Sequence, residues 1–459
     1  MAFGNKTGRS ITERVALPVI FIISLLAAWL VVQLRTVIRM SSPVELSRSG
    51  LSASVPSGNG WECEGKWVYD NDGFTLTSVL GAGDGTTPAA RRRTGPSVLL
   101  GVRRSFARCR YLLAAAKVTM QQRLDRLRTE GETIETGQTA AGKLIVDWAR
   151  IKTSEGPVIY FGVCGLPAGR QLEIEVFQTA EEQGLAQNVF ERIVKNIRFS
   201  DNGLLQAGVE VVSEARKMGL SDIAAEEQPV FFVITDTRKK AIGFTMDAIT
   251  VVDTDANAAV RAGSYYYVRG TILNERVGLF RGDAAFDRFV WQVESRTGAA
   301  SRGIEMTVDN SVLQVRKSGG GALEGEYILG EAAVPDIVIE AVLRRMLDAD
   351  RSAIVVDLIG PEGIITPVYV EKINSGEQQG DSASSPQAQG GTLRVELLDG
   401  RGYWQQIYYD SSKEPIKTVL SQESQYTLNR ADANQISKLF PERANLVRDK
   451  SRLLGGDKL

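Results

Sequence analysis

The chain predicts an α+β protein led by an N-terminal transmembrane helix. An α/β sandwich domain follows, then a mostly antiparallel β domain, a curved sheet or half-open barrel with one packed helix. Three observations carry this expectation. Residues 15–34, VALPVIFIISLLAAWLVVQL, hold no charged side chain, and a helix of about twenty residues spans roughly 30 Å, the thickness of a bilayer's hydrocarbon core. Residues 51–200 mix short alternating runs with two segments of helical period. Residues 229–440 read as strand after strand, interrupted by one strong helical segment.

The anchor is taken first, through Val15, Phe21, Leu25, Trp29 and Leu34. Pro18 falls in its first turn, where a missing N–H removes no helical hydrogen bond. A signal-peptide core is shorter, about 7–15 residues, and is followed by a small-residue cleavage site that this chain lacks. An uncleaved signal anchor is therefore expected, with residues 1–14 as a polar tail and 35–50 as a linker. Lys6, Arg9, Arg14 and the amino terminus precede the apolar run, and Arg35, Arg39 and Arg48 follow it. The balance tilts slightly toward a cytoplasmic N-terminus, which makes this a single-pass membrane protein with an extracytoplasmic, periplasmic body.

Composition removes whole classes of chemistry. There is no histidine in 459 residues, so no mechanism here uses imidazole as base, proton shuttle or metal ligand. No catalytic, cofactor-binding or metal-binding residue is assigned, and no cofactor is expected. With 54 basic and 55 acidic residues the net charge is −1, which offers no electrostatic footprint for nucleic acid. Cys63, Cys109 and Cys164 leave one thiol over in any single disulfide. They read more simply as small apolar core residues.

In the first domain, Leu51 to Pro56 alternates as a half-buried strand does. Lys66 to Tyr69 and Gly73 to Leu80 continue the pattern across an Asp-Asn-Asp-Gly turn. Residues 81–97 read as a loop, and Tyr111 to about Arg128 as a helix by propensity and apolar spacing. Strands are expected at Leu144 to Ala149, Val158 to Val163 and Leu172 to Phe177. A closing helix, about Thr179 to Asn196, begins with the capping pair Thr179 and Glu182 and buries Val189, Phe190, Ile193, Val194 and Ile197. The sequence Pro56, Gly60-Trp61, several strands, then a late helix running into Phe190 to Phe199 (FERIVKNIRF) resembles PsbP-like domains. Those are small α/β/α modules of photosystem and bacterial envelope proteins. The resemblance covers about 150 residues, carries no shared catalytic residue, and implies a binding or assembly module.

Residues 201–228 contain a connecting helix, with Leu204, Leu205, Val209, Val212 and Ala215 at helical spacing. The β-rich domain follows from Pro229. Pro335 and Asp336 open its helix, an order suited to the first helical position and the positive helix end. Residues 374–391, NSGEQQGDSASSPQAQGG, are nearly free of apolar side chains and read as a flexible insertion. Residues 441–459 form a charged tail. Over 229–440 the strand order loosely resembles bacterial envelope lipoprotein-carrier domains, a likeness that transfers no ligand residue.

Two surface or cavity readings remain. Arg91, Arg92, Arg93, Arg103, Arg104, Arg108 and Arg110 are the strongest charge asymmetry, a candidate contact for anionic lipid headgroups. The opposing reading is a solvated set paired with acids. Tyr266, Phe289, Trp291, Trp404 and Tyr408 are candidate lining for an apolar ligand if the sheet leaves a cavity; a closed core uses the same aromatics. The functional expectation is a non-enzymatic, membrane-anchored scaffold, assembly or binding component of the envelope, with a protein partner there. The alternative is a carrier of a lipid or other hydrophobic ligand in the β domain.

Overall fold

The computed structural model describes residues 24–25, 38–58, 60–70, 73–80, 105–113, 131–153, 156–179, 183–218, 229–253, 258–270, 274–283, 286–297, 300–373, 390–421 and 425–448. The N-terminal half builds two sheets. Strands β1 (Val44–Leu46) and β2 (Leu51–Ala53) pair as a hairpin, with the later β11 (Arg198–Phe199) on its far side. The larger sheet has eight strands: β3 (Trp61–Cys63), β4 (Val68–Asp70), β5 (Gly73–Leu80), β6 (Phe106–Leu112), β7 (Gly131–Ala141), β8 (Leu144–Thr153), β9 (Val158–Gly165) and β10 (Gln171–Gln178). Its order is β3-β5-β6-β10-β9-β8-β7, with β4 added beside β5.

Helix α1 (Gln183–Asn196) lies against β7, β9 and β10. Its stripe of Val189, Phe190, Ile193 and Val194 is buried, and the Phe190 ring sits 5.6 Å from that of Tyr160. The expected helix from Tyr111 to Arg128 is corrected at its start. Tyr111 and Leu112 close strand β6, whose burial alternates through Arg108 and Arg110 with a period of two. Residues 114–130 lie outside the described ones.

Helix α2 (Leu204–Arg216) then carries the chain to a sheet of fifteen strands. These are β12 (Val230–Thr235), β13 (Ala241–Asp253), β14 (Ala258–Val268), β15 (Asn274–Gly282), β16 (Phe289–Thr297), β17 (Ala300–Asp309), β18 (Val312–Lys317), β19 (Leu323–Ile328), β20 (Ala333–Pro335), β21 (Ala353–Ile359), β22 (Ile365–Lys372), β23 (Gly391–Leu397), β24 (Trp404–Tyr409), β25 (Pro415–Ser421) and β26 (Gln425–Ala431). β12 pairs with β26, so the first and last strands of this half meet. The sheet's two edges are β19 and β20, neighbours in sequence. A meander joined at its ends and open at one seam must curl, and side chains from both arms face one interior.

Helix α3 (Ile339–Asp348) occupies that interior, entered through a tight turn at Asp336–Val338. It is the crossover between the parallel strands β20 and β21. Val338, Val342, Leu343 and Met346 are buried against strand residues such as Ile354, Val370 and Leu393. The outer face of β12 to β14 has its own cover. Phe231, Phe244, Met246, Tyr265 and Tyr267 pack under Ile436, Phe440 and Val447 of helices α4 (Ala433–Leu439) and α5 (Ala444–Arg448) and the turn between them.

The two halves share one core. Arg170 crosses the boundary, donating from one Nη to Asp357 Oδ1 at 2.7 Å and from the other to the Leu113 carbonyl at 2.8 Å. Tyr69 donates to the Ile365 carbonyl, and the Arg48 guanidinium stacks 4.2 Å above the Tyr369 ring. Helix α2 lies directly on β21, close enough that a Cβ on Gly208 would stand 2.0 Å from the Val355 oxygen. Only glycine permits that approach.

Two expectations are overturned. The protein is mostly β, in large sheets, rather than α+β; the strands that tip the balance, such as β15, β19 and β26, carry polar side chains that hide their period. The transmembrane reading of Val15, Phe21, Leu25, Trp29 and Leu34 is also corrected. Among the described residues no helix is long and apolar enough to cross a membrane; α1, with 14 residues, falls short of the roughly 20 that a span requires. Of segment 15–34 only Ser24 and Leu25 are described, Leu25 being 54% exposed, and the rest lies outside. The signal anchor, the single-pass topology, membrane attachment through that helix and the periplasmic body built on it are withdrawn.

Candidate ligand-binding cavity

The curled sheet and α3 frame a cavity of about 470 Å³ that opens to the outside. Its wall is drawn from both arms: Ile249, Val293, Val368, Val395 and Ile407 come from strands, and Ile337 and Leu343 from the helix. Alternation explains which side chains reach it. On β12 and β13, Phe231, Phe244 and Met246 point outward beneath α4 and α5; the intervening Val230, Phe232 and Asp247 therefore face inward.

The inward row is polar at one level. Asp247 on β13 is directly opposite Ser264 on β14, and Ser264 is opposite Arg276 on β15. All three line the cavity, and so does Asp336 at the entry to α3. Arg276 Nη1 stands 4.0 Å from Asp336 Oδ2, a loose ion pair. Asp247 is exposed to the cavity space, while the cavity wall packs protein densely around it. Burial pushes its carboxyl up to about 7, Asp336 adds to the rise, and Arg276 opposes it. Burial likewise raises Asp336, again against Arg276.

A second charged group lies further along α3. Arg344 pairs with Glu340 at 3.6 Å and with Glu414 at 3.0 Å, while Arg430 reaches Glu414 at 3.6 Å. The phenol of Tyr409, raised by burial and by Glu340, closes this end. Positive and negative charges balance here.

The candidate residues from the sequence scatter. Trp291 lines the cavity and is only 4% exposed. Phe289 lines a different depression, between β16, β20 and the Pro167–Gly169 turn. Tyr266 is 40% exposed, two positions along β14 from Ser264. Trp404 and Tyr408 alternate with the inward Gln405 and Ile407; Arg394 and Lys417 cover their rings at 5.1 and 5.0 Å. Of the arginine group, Arg91, Arg92, Arg93, Arg103 and Arg104 lie outside the described residues. Arg108 pairs with Glu175, and Arg110 with Glu173 at 3.5 Å, each directly across the β6–β10 ladder. Those two guanidiniums are spent on cross-strand partners.

The sequence reading missed Asp247, Ser264 and Arg276. Their signal was a carboxylate inside the apolar stretch Phe244 to Val252, where an unpaired charge has no structural use. All three cysteines are free thiols, Cys109 and Cys164 buried, and no group of residues suited to a metal ion occurs among the described residues.

No protein-family model and no curated protein matches the chain. Among solved structures it is similar to a β-barrel-like protein of domain of unknown function DUF1849 from Brucella abortus, at 7% identity and a TM-score of 0.32, covering 44% of this chain and 95% of that one. It is also similar to the solution structure of cyanobacterial PsbP (CyanoP) from Synechocystis sp. PCC 6803, at 10% identity and a TM-score of 0.19, covering 36% of this chain and 92% of that one. The PsbP-like resemblance thus has weak support, and similarities at these scores carry no argument about function.

Proposed function

We propose that this protein is a non-enzymatic binding protein that holds a small amphipathic ligand inside its curled β sheet. The observation that carries this reading is the cavity itself. Its volume, about 470 Å³, falls in the roughly 300–1,000 Å³ range of small-molecule sites, and its apolar wall with a few convergent polar groups is the usual makeup of one. Hydrolysis is a poorer reading. Ser264 has no histidine or lysine beside it, and among the described residues no hydrogen bond joins it to Asp247, whereas an activated serine needs a base within about 3 Å.

Ala262 lines the cavity two residues from Ser264 on the same strand face. Replacing it with Phe fills the lumen from the wall. The test titrates the full chain with a neutral, environment-sensitive naphthylamine fluorophore. The expected result is saturable binding that Ala262→Phe weakens at least tenfold while the far-UV circular dichroism stays the same. Equal affinity in both proteins would place the ligand elsewhere and refute the reading.

A further inference from the structure

The cavity's charges do not cancel, and the imbalance identifies the guest. Four carboxylates line it, those of Asp247, Asp336, Glu340 and Glu414, against the two guanidiniums of Arg276 and Arg344. Arg430 supplies a third cation through Glu414. Arg344 and Arg430 thus answer Glu340 and Glu414, and Arg276 answers Asp336. Asp247 is left over, with no ion pair or hydrogen bond among the described residues.

A carboxylate that lines a cavity with no ion pair of its own is relieved when it takes up a proton or meets a cation. A second group in the same wall is also unmet. The Trp291 indole nitrogen is buried without an acceptor, lying over Gly278, where a Cβ would come within 2.8 Å of it. Gly278 is two residues from Arg276 on the same face of β15. A carboxylate open to the cavity without an ion pair and a buried indole N–H without an acceptor, in one cavity wall, mark a space shaped for a polar guest.

We infer that the ligand is a cationic amphiphile, a protonated amine seated on Asp247 with its apolar body against Val293 and Ile337. This rests on the lumen being a binding site, as proposed above. An anionic ligand finds Arg276 flanked by Asp336 and by Asp247 across Ser264, and is repelled. A neutral ligand leaves the excess carboxylate unanswered.

Three probes of equal chain length separate the possibilities: decylammonium, decanoate and decanol, each titrated calorimetrically into the full chain and into Asp247→Asn. The expected order is decylammonium at least tenfold tighter than decanol, with decanoate weakest, and Asp247→Asn erasing the ammonium's advantage while decanol binds as before. Wild-type protein provides a check that needs no variant. Ammonium affinity should rise severalfold from about pH 6 to about pH 8 as Asp247 ionises, since an alkylammonium stays protonated throughout. The titratable groups facing Asp247 are Asp336 before α3 and Arg276 on β15, and decanol affinity should not change. Decanol or decanoate binding as tightly as the ammonium overturns the charge assignment and leaves the lumen site standing. Failure of all three probes, or binding untouched by Ala262→Phe, overturns the lumen site and the assignment with it.

Discussion

Replacing Asp357 with Asn should cost about 3–5 kcal/mol, the usual penalty for leaving one member of a buried ion pair uncompensated. The side chains of Arg170 and Asp357 are 2% and 3% exposed, so neither has solvent to fall back on. Arg170 keeps its 2.8 Å bond to the Leu113 carbonyl in the variant, but that neutral acceptor cannot balance a guanidinium that stays charged at any working pH. The Tyr111 ring, 5.8 Å away, offers only a weak quadrupole. Because Arg170 and Asp357 belong to different halves, the loss falls on the contact that holds the halves together. The assay is guanidinium denaturation followed by tryptophan fluorescence and circular dichroism. Wild type should give coincident transitions, and Asp357→Asn an earlier first midpoint with the two probes separating. The double variant Arg170→Met with Asp357→Leu should recover most of the loss, since apolar replacement of a buried pair is often neutral or better. A loss below about 1 kcal/mol in Asp357→Asn, or a double variant worse than the single, would refute the view that burial of this pair governs the junction.

Asp247→Asn should stabilise the unligated protein at pH 8 and do little below about pH 4. A carboxyl held at about 7 in the fold against about 3.9 unfolded gives stability that is complete below the unfolded value and lost as pH rises through the folded one. The shift corresponds to about 4 kcal/mol before screening, and cavity water should reduce it to on the order of 2 kcal/mol; thermal unfolding across pH measures it, and a variant that is less stable at pH 8 contradicts the burial argument. Gly208→Ala should destabilise by about 1–3 kcal/mol, because the added methyl meets the Val355 oxygen at 2.0 Å and α2 must lift from β21; a neutral result in chemical denaturation would show that the helix has slack. Thiol alkylation at about pH 8 should find Cys63 first, since burial pushes Cys109 up to about 12 and Cys164 up to about 11. Peptide mapping that shows Cys109 modified fastest would overturn that order.

Much of the β domain was legible because alternation is a local property. Phe231 and Val233, Phe244 and Met246, and Tyr265 and Tyr267 each sit two residues apart, and the structure buries them together. The strands that were missed fail this rule for physical reasons. β15 runs Asn-Glu-Arg-Val-Gly-Leu-Phe-Arg-Gly, with Arg276 turned into a cavity rather than to solvent, so the polar residues no longer mark the outer face. β26, Gln-Tyr-Thr-Leu-Asn-Arg-Ala, is half exposed along its length and has little apolar content to read. At Tyr111 the helical spacing of Leu112, Ala115 and Met120 competed with the pairing of β6 to β5 and β10, and long-range pairing prevailed. No local pattern could place Asp247 beside Arg276, because the two meet only across Ser264, through ladders set by the whole meander.

The cavity is nonetheless encoded in one short stretch, read with its surroundings. Helix α3 looks like a surface helix: Val338, Val342 and Met346 make an apolar stripe, and Asp336, Glu340 and Arg344 recur every fourth residue on another side. On a protein surface such a charged stripe faces water at no cost. Here the sheet curls around the helix, and the charged stripe looks toward β13, β15 and β25 rather than outward. An enclosed helix that kept its charges cannot pack tightly on that side, because closing the gap would strip solvation from four carboxylates served by three guanidiniums. The unfilled volume therefore follows from the helix's own sequence, and Asp247, the one of these four carboxylates without an ion pair among the described residues, stands opposite the stripe.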